Sequence, residues 1–472
     1  MDQDNSVSMQ FATVASASRE YAIAIVGGGF SGTLLAIQLL RMGLAKTDAI
    51  ALIEQSPRMG PGLAYSVEDE CCLLNVPAGN MSAFPDDPGH FVRYCQAMDS
   101  NITSSSFLPR RLYGQYIEQL LRDTETRYPQ QLHRLRASTV DLEYISGDRY
   151  RIDFARHPSI LTNKVVLALG HFASQPLATL KSVPADMVIT PWDAEQFQKI
   201  PVTLPIAILG TGHTAIDALL RLRANSAVQK VYLISRRGLL PNSHRLASSM
   251  VDAQFPNWLK NVSATARGYT RALRAQIKNH CQDGGDWRDI FNQIRAHTSD
   301  LWQTLPINER ARFLRQLLPY WDVHRHRLAL SAGKQIEKLQ QQGTIDVIAG
   351  RIESAKIHGK HIKLQYRDRA TQEIRSIEVG AIIHCTGPNY DLSTVPDPLV
   401  KNLIRRNYLQ QDTLKIGLVL DGQYQLQNPN HPMQQHLYYI GPMLKARFWE
   451  SIAVPELRVH VQCLAKQLLH RE

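Results

Sequence analysis

The strongest constraint in this sequence is a unit that occurs twice. Residues 21–40, YAIAIVGGGFSGTLLAIQLL, and residues 205–222, PIAILGTGHTAIDALLRL, each run from a short apolar strand through a glycine turn into a helix. In the first unit the run from Ala22 to Val26 reads as a strand buried on both faces, and Thr33 to Leu40 has the apolar spacing of a packed helix. Between them Gly27, Gly29 and Gly32 follow the GxGxxG pattern, with Phe30 and Ser31 inside the loop. Gly27 permits the tight turn, Gly29 lets a pyrophosphate approach the backbone, and Gly32 lets helix and strand pack closely. The free N–H groups and the dipole at the helix start favour an anion there. A second strand, AIALIE, ends in Glu54, 27 residues after Gly27, where a carboxylate accepts hydrogen bonds from a ribose diol.

The second unit passes through Gly210, Gly212, His213, Thr214 and Ala215, with alanine in the third glycine slot as the pattern allows. Its following strand, KVYLISRRG, ends without an acid. Ser235, Arg236 and Arg237 stand there instead, and guanidinium groups bind a 2′-phosphate that a carboxylate would repel. The expectation is therefore two dinucleotides: one selected by Glu54, and NADPH selected by the arginines. Two nicotinamides have little to exchange, so the first is expected to be FAD.

Length and composition set the frame for these units. A chain of 472 residues exceeds one core, and 44% apolar with 20% charged residues is a globular composition. The formal charge of +11 comes from scattered Lys and Arg, which suits small anionic ligands better than nucleic acid. Residues 1–19 read as a polar tail rather than a signal peptide, and no apolar run reaches membrane-spanning length, so a cytoplasmic location without membrane attachment is expected. The six cysteines, at 71, 72, 95, 281, 385 and 463, show neither CxxC pairs nor metal-ligand spacing. No metal site is expected, the two histidines of DVHRHR (322–327) lacking further ligands.

Two more strands ending in glycine, KVVLALGHF (164–172) and GAIIHCTGPN (380–389), suit crossings between domains. The expected fold is α/β: two Rossmann-like dinucleotide-binding domains with a helical insertion. The FAD domain is assigned to 20–199 and 381–472, the NADPH domain to 200–380, and the helical insertion to about 245–345.

The assembled pieces resemble two-dinucleotide flavoproteins, in particular the FAD- and NAD(P)-binding family related to class B flavin monooxygenases. Besides the glycine loops the resemblance rests on GPGLAYS (60–66), LLNVPAGNMSAF (73–84), PRRLYGQYI (109–117), SRRGLLPNSHR (235–245), PYWDVHRHR (319–327) and LYYIGPMLKARFWESIAVPELR (437–458). It implies that Gly62, Tyr65, Asn75, Val76 and Met81 lie near the flavin and that Thr386 and Gly387 flank the FAD. In YYIGPM, Pro442 replaces the acid that many flavoproteins direct at the ribityl chain.

The implied activity is a class B-type monooxygenase that forms a C4a-hydroperoxyflavin from molecular oxygen and oxygenates a small molecule. Catalytic residues are not defined by the pattern; Asn75, Arg325, Trp449 and Glu450 are active-site candidates. The Baeyer–Villiger fingerprint is half present, with Trp192 and Asp193 but Val188 in place of histidine, which favours N-hydroxylation of an amine or amino acid over ketone oxidation. The alternatives are an NADPH-dependent flavin dehydrogenase or oxidase without oxygen transfer, and a non-catalytic NADPH-sensing protein. A homo-oligomer is compatible with all three, since oligomerisation leaves no local pattern.

Overall fold

The computed structural model describes residues 19–145, 148–175, 177–201, 203–225, 230–245, 254–427 and 435–470. The N-terminal tail expected at 1–19 lies outside them except for Arg19. In chain order the strands are β1 (Glu20–Val26), β2 (Ile50–Glu54), β3 (Leu132–Arg136), β4 (Thr139–Ile145), β5 (Arg149–Phe154) and β6 (Ile160–Leu167). They continue with β7 (Val188–Ile189), β8 (Ile206–Leu209), β9 (Val231–Ser235), β10 (Ile345–His358), β11 (His361–Asp368), β12 (Ile374–Val379), β13 (Ala381–His384) and β14 (Leu437–Tyr439).

The first sheet has the order β3-β2-β1-β6-β5-β4, with β14 also beside β6. Strands β3, β2, β1, β6 and β14 pair in parallel, and β4 and β5 form an antiparallel extension. The sequences explain the difference. Four of the five residues in IALIE of β2 are buried, as a strand covered on both faces requires, whereas RYRIDF of β5 alternates buried and half-buried positions, as a one-sided strand does. Helix Phe30–Arg41 covers this sheet, and the C-terminal helix Val454–Leu469 shares its core.

The second sheet has the order β12-β11-β10-β9-β8-β13-β7. Its β10, β9, β8, β13 and β7 are parallel, and β10 continues past Gly350 into an antiparallel meander with β11 and β12. This sheet spans Val188 to His384, so a division at 200 and 380 would cut it at both ends. β13 pairs Ile382 with Ala207 of β8 and with Val188 of β7, completing the parallel layer on the far side of β8. The crossing between the sheets is a pair of short linkers joined by an antiparallel bridge between Phe172 and Asn389.

Between β9 and β10 lie the helices Ala266–Gln282, Trp287–Arg295, Thr298–Thr304, Ile307–Gln316, Leu318–Arg325 and Leu330–Gln341. The last belongs to the second domain's core through Ala332, Ile336 and Leu339, as the crossover helix of a βαβ unit. The others form a cap with its own aromatic core, and this cap is seated on the C-terminal segment. Trp302 stacks on Trp449 with ring centroids 4.3 Å apart and donates its indole N–H to the Ala446 carbonyl at 2.9 Å. The domains are further joined by the ion pairs Arg110–Asp217 at 3.1 Å and Arg221–Asp69 at 2.7 Å. No described helix is long and apolar enough to cross a membrane.

Candidate functional site

Each glycine loop lies at the C-terminal edge of its parallel sheet, where open α/β folds bind ligands. The backbone shows which glycines the turn needs and which leave room in front of it. Gly27 has φ +112°, and a Cβ there would lie 2.4 Å from the Ala168 carbonyl oxygen; a Cβ on Gly32 would lie 1.9 Å from the carbonyl of Gly27. These two are fixed by the fold. A Cβ on Gly29 would meet only the Cα of Gly62, at 3.5 Å.

Glu54 accepts hydrogen bonds from the backbone N–H groups of Gly28 and Ser56, both at 2.9 Å, which ties the acidic strand end to the loop. The second loop repeats the design. Gly210 has φ +120°, with its Cβ position 2.1 Å from the Cys385 carbonyl oxygen, while Gly212 has nothing within 4 Å of where a Cβ would stand. Both turns therefore have the shape that a pyrophosphate-bearing group requires, and the residues present fit FAD in the first and NADPH in the second.

The two linkers, the cap helix Leu318–Arg325 and the C-terminal segment bring a set of ionisable side chains close together. Asp322 keeps 46% of its side chain accessible, yet desolvation by the surrounding protein raises its pKa to about 6. His171 is likewise exposed, and desolvation lowers its pKa to about 4.

Lys445 lies near Asp322 and Glu450. Burial lowers its pKa, opposed by Asp322 and then Glu450, and its ammonium lies 4.5 Å from the ring of Trp449 and 5.7 Å from that of Tyr390. Tyr390 also makes an edge contact with His171, at 5.8 Å. Among the described residues neither Lys445 nor Asp322 has an oppositely charged partner within ion-pair distance. Asp322 approaches only His326, at 3.9 Å, and burial keeps that imidazole neutral by pushing its pKa well down.

The expected site residues fall in several places. Gly62 abuts Gly29, Tyr65 packs edge-on against Phe30 and Tyr113, and Met81 is buried in the first core with Val76 against it. Ser31 lies in the first turn of helix Phe30–Arg41, and Thr214 and Ala215 in that of His213–Asn225. The Asn75 carbonyl accepts a hydrogen bond from His244 Nε2 at 3.1 Å, so Asn75 bridges the domains through its backbone. Thr386 and Gly387 follow β13, next to the residue whose carbonyl underlies Gly210, and the Gly387 carbonyl accepts a hydrogen bond from Ser174 of the linker that begins beneath the first loop.

His213 is tied by Nε2 to the His326 carbonyl at 3.0 Å. Ser235 accepts from Thr211 Oγ1 and from the Gly238 N–H, both at 3.0 Å, and so holds the turn. Arg325 and Glu450, 8% and 5% exposed, form an ion pair at 2.9 Å, and Arg325 also reaches Glu456 at 3.3 Å. These two candidates join the cap to the C-terminal segment, and Glu450 is near enough to Asp322 and Lys445 to act on the charge of both. Trp449 is buried packing at φ +53°, an uncommon backbone state for a bulky residue that the Trp302 stack holds in place. Asp193 caps helix Ala194–Gln198, which accounts for half of the VITPWD stretch structurally.

His171, Asp322, Tyr390 and Lys445, which the fold brings near one another, carry no signal of spacing. Among the described residues no group of three or more His, Cys, Asp or Glu is arranged to hold a metal ion.

Residues 24–172 match a family model described as FAD-NAD(P)-binding. No curated protein matches the chain. Among solved structures it is similar to an ornithine N-hydroxylase from Kutzneria sp. 744 with reduced FAD, NADP+ and L-ornithine, with a TM-score of 0.64 and 14% identity over 95% of this chain and 99% of that one. It is also similar to L-lysine 6-monooxygenase from Pseudomonas syringae, with a TM-score of 0.65 and 14% identity over 95% and 99%. The FAD-bound cadaverine monooxygenase DfoA from Erwinia amylovora gives a TM-score of 0.63 and 14% identity over 95% and 94%. The chain thus has the fold of two-dinucleotide flavoproteins over nearly its whole length.

Proposed function

We propose that the protein is an FAD- and NADPH-dependent monooxygenase that oxygenates an amine nitrogen of a small molecule. The observation that carries the reading is that Asp322 and Lys445, a carboxylate and an ammonium that influence each other's charge, have no ion-pair partner of fixed opposite charge among the described residues; we read them as lining a substrate cleft between the two dinucleotide cradles. Bound FAD, reduced by NADPH, supplies the activation of oxygen.

The chain's own groups do the rest. Asp322, ionised above pH about 6, accepts hydrogen bonds from the substrate amine and orients it. Lys445 takes an anionic group at the other end, such as a carboxylate. Nearby arginines are already committed, Arg325 to Glu450 and Glu456 and Arg327 to Asn292. The Trp449 and Tyr390 rings beside Lys445 exclude water from one side of the cleft, which strengthens these contacts. The solved structures of this fold named above include enzymes for ornithine, lysine and cadaverine, all amines, and this supports the choice of nitrogen.

The test begins with anaerobic NADPH, which should bleach the flavin of the purified holoenzyme. Amines, diamines and amino acids are then supplied with isotopically labelled oxygen gas, and the product is analysed for label. Label in a hydroxylated amine supports the reading. NADPH consumption that yields only peroxide with every amine refutes oxygen transfer, and a flavin that NADPH does not bleach refutes the enzyme altogether.

A further inference from the structure

We propose that Arg369 is a second guanidinium for the 2′-phosphate of the nicotinamide coenzyme, closing on it from the side opposite Arg236. The inference rests on the reading of the second cradle as an NADPH site.

The sequence offers Arg236 and Arg237 as an adjacent pair, but the fold separates their roles. Arg237 lies over the ring of Tyr320 at 5.0 Å, donates from Nη1 to the Tyr320 hydroxyl at 3.1 Å, and reaches the carbonyls of Arg315 and Gln316 at 3.4 Å. It is occupied in holding the cap. Arg236 is exposed and has no side-chain partner among the described residues. One arginine is thus left for a dianion that two or more donors usually grip.

The missing donor is supplied two strands away. Ser235 pairs in parallel register with Ala349 of β10, and the chain after Ser235 turns over that residue, since a Cβ on Gly238 would lie 2.9 Å from the Ala349 Cβ. On the other side, Arg369 donates its backbone N–H to the Ala349 carbonyl at 2.9 Å. Ala349 is therefore the single residue between the arginine turn and Arg369. With neighbouring strands about 4.8 Å apart, the backbones of Ser235 and Arg369 are about 10 Å apart, a gap that two facing arginine side chains can close around one phosphate.

Arg369 is also held ready. The turn after β11 is fixed by Asp368, whose Oδ1 accepts from the N–H groups of Ala370 at 2.9 Å and Thr371 at 3.0 Å, and by Gln372, which donates to the Arg369 carbonyl at 2.8 Å. The nearby carboxylate of Asp368 is offset by Arg375 at 3.8 Å. The Arg369 side chain has no partner among the described residues and borders an open cavity of about 540 Å³ that Ala349 and Asp368 also line.

The experiment titrates the FAD-loaded protein with NADPH, NADH and 2′,5′-ADP, following nicotinamide fluorescence and heat. Arg369→Ala is expected to weaken NADPH and 2′,5′-ADP about tenfold or more while leaving NADH within about twofold, with partial recovery in Arg369→Lys. Arg236→Ala serves as the comparison. If Arg236→Ala removes the preference for NADPH and Arg369→Ala does not, Arg369 has no part in it and the NADPH reading stands. If Arg369→Ala weakens both coenzymes equally, its role is structural and the proposal fails. If the unmodified protein shows no preference for NADPH, both readings fall together.

Discussion

Gly210 and Gly212 sit two residues apart in one loop, yet the structure assigns them opposite consequences when a methyl group is added. Gly210→Ala must adopt φ +120°, outside the comfortable range of an L side chain, and its Cβ would stand 2.1 Å from the Cys385 carbonyl. Backbone strain of this kind costs about 1–3 kcal/mol, and relieving the contact requires the linker to shift. A total of about 2–3 kcal/mol lowers the melting temperature of a domain this size by roughly 4–12 °C.

Gly212→Ala meets nothing within 4 Å and has an ordinary φ, so stability should stay within about a degree. Its methyl group instead occupies the space that the pyrophosphate needs. An overpacking cost of about 1–3 kcal/mol corresponds to a loss of roughly 5- to 150-fold in affinity for NADPH and NADH alike, because both carry the pyrophosphate. Scanning calorimetry of the FAD-loaded protein and fluorescence titration of both coenzymes measure the two quantities. If Gly212→Ala is as destabilised as Gly210→Ala, or binds both coenzymes as the unmodified protein does, the geometry assigned to this loop is wrong.

Three further outcomes follow from the same site. In Asp322→Asn amine affinity should fall at pH 7.5, and in the unmodified protein it should fall as pH drops through about 6, measured by steady-state KM across pH. The sign for stability is the reverse: a folded-state pKa above the unfolded value of about 3.9 means that the native state holds the proton between about pH 4 and 6, so this residue's contribution declines as pH rises through that window, and Asp322→Asn should melt higher than the parent at pH 7.5. Arg325→Met strands the buried Glu450 and should cost about 3–5 kcal/mol in denaturant unfolding, whereas Arg325→Met with Glu450→Leu should recover much of it. Glu54→Ala removes the acceptor for the Gly28 and Ser56 N–H groups and should lower the fraction of protein purified with FAD, read from the flavin-to-protein absorbance ratio.

The cradles were legible because a glycine turn, its strand and its helix are contiguous, and steric need is written at single positions such as Gly27 and Gly210. Sheet membership was not. GAIIHC is as apolar as PIAILG, and nothing local says that β13 completes the second sheet beside β8 rather than opening the return to the first. The meander of β10 to β12 carried a readable sign, since HIKLQYRD alternates with period two and Ile362, Leu364 and Tyr366 are buried on one side. Arg237 looked equivalent to Arg236 because Tyr320, which claims it, is distant in the chain. Arg325 and Glu450 stand in recognisable segments, but their mutual pairing across the cap and C-terminal segment belongs to tertiary structure and leaves no mark of spacing.

The cleft was illegible for a related reason, and the linkers show why. Coenzyme binding in this fold is done largely by backbone, so it needs only a local sequence; the substrate contacts proposed above use side chains from segments around 171, 322, 390 and 445, which no spacing rule connects. The carbonyls under Gly27 and Gly210 belong to Ala168 and Cys385, the residues with which the two linkers begin. Within a few residues the same linkers pair at Phe172 and Asn389 and carry His171 and Tyr390 into the cleft. The floor of each cradle and the wall of the cleft are thus one covalent piece, so a change that moves a linker must disturb coenzyme seating and substrate recognition together, while a change confined to Asp322 or Lys445 can alter the second without the first.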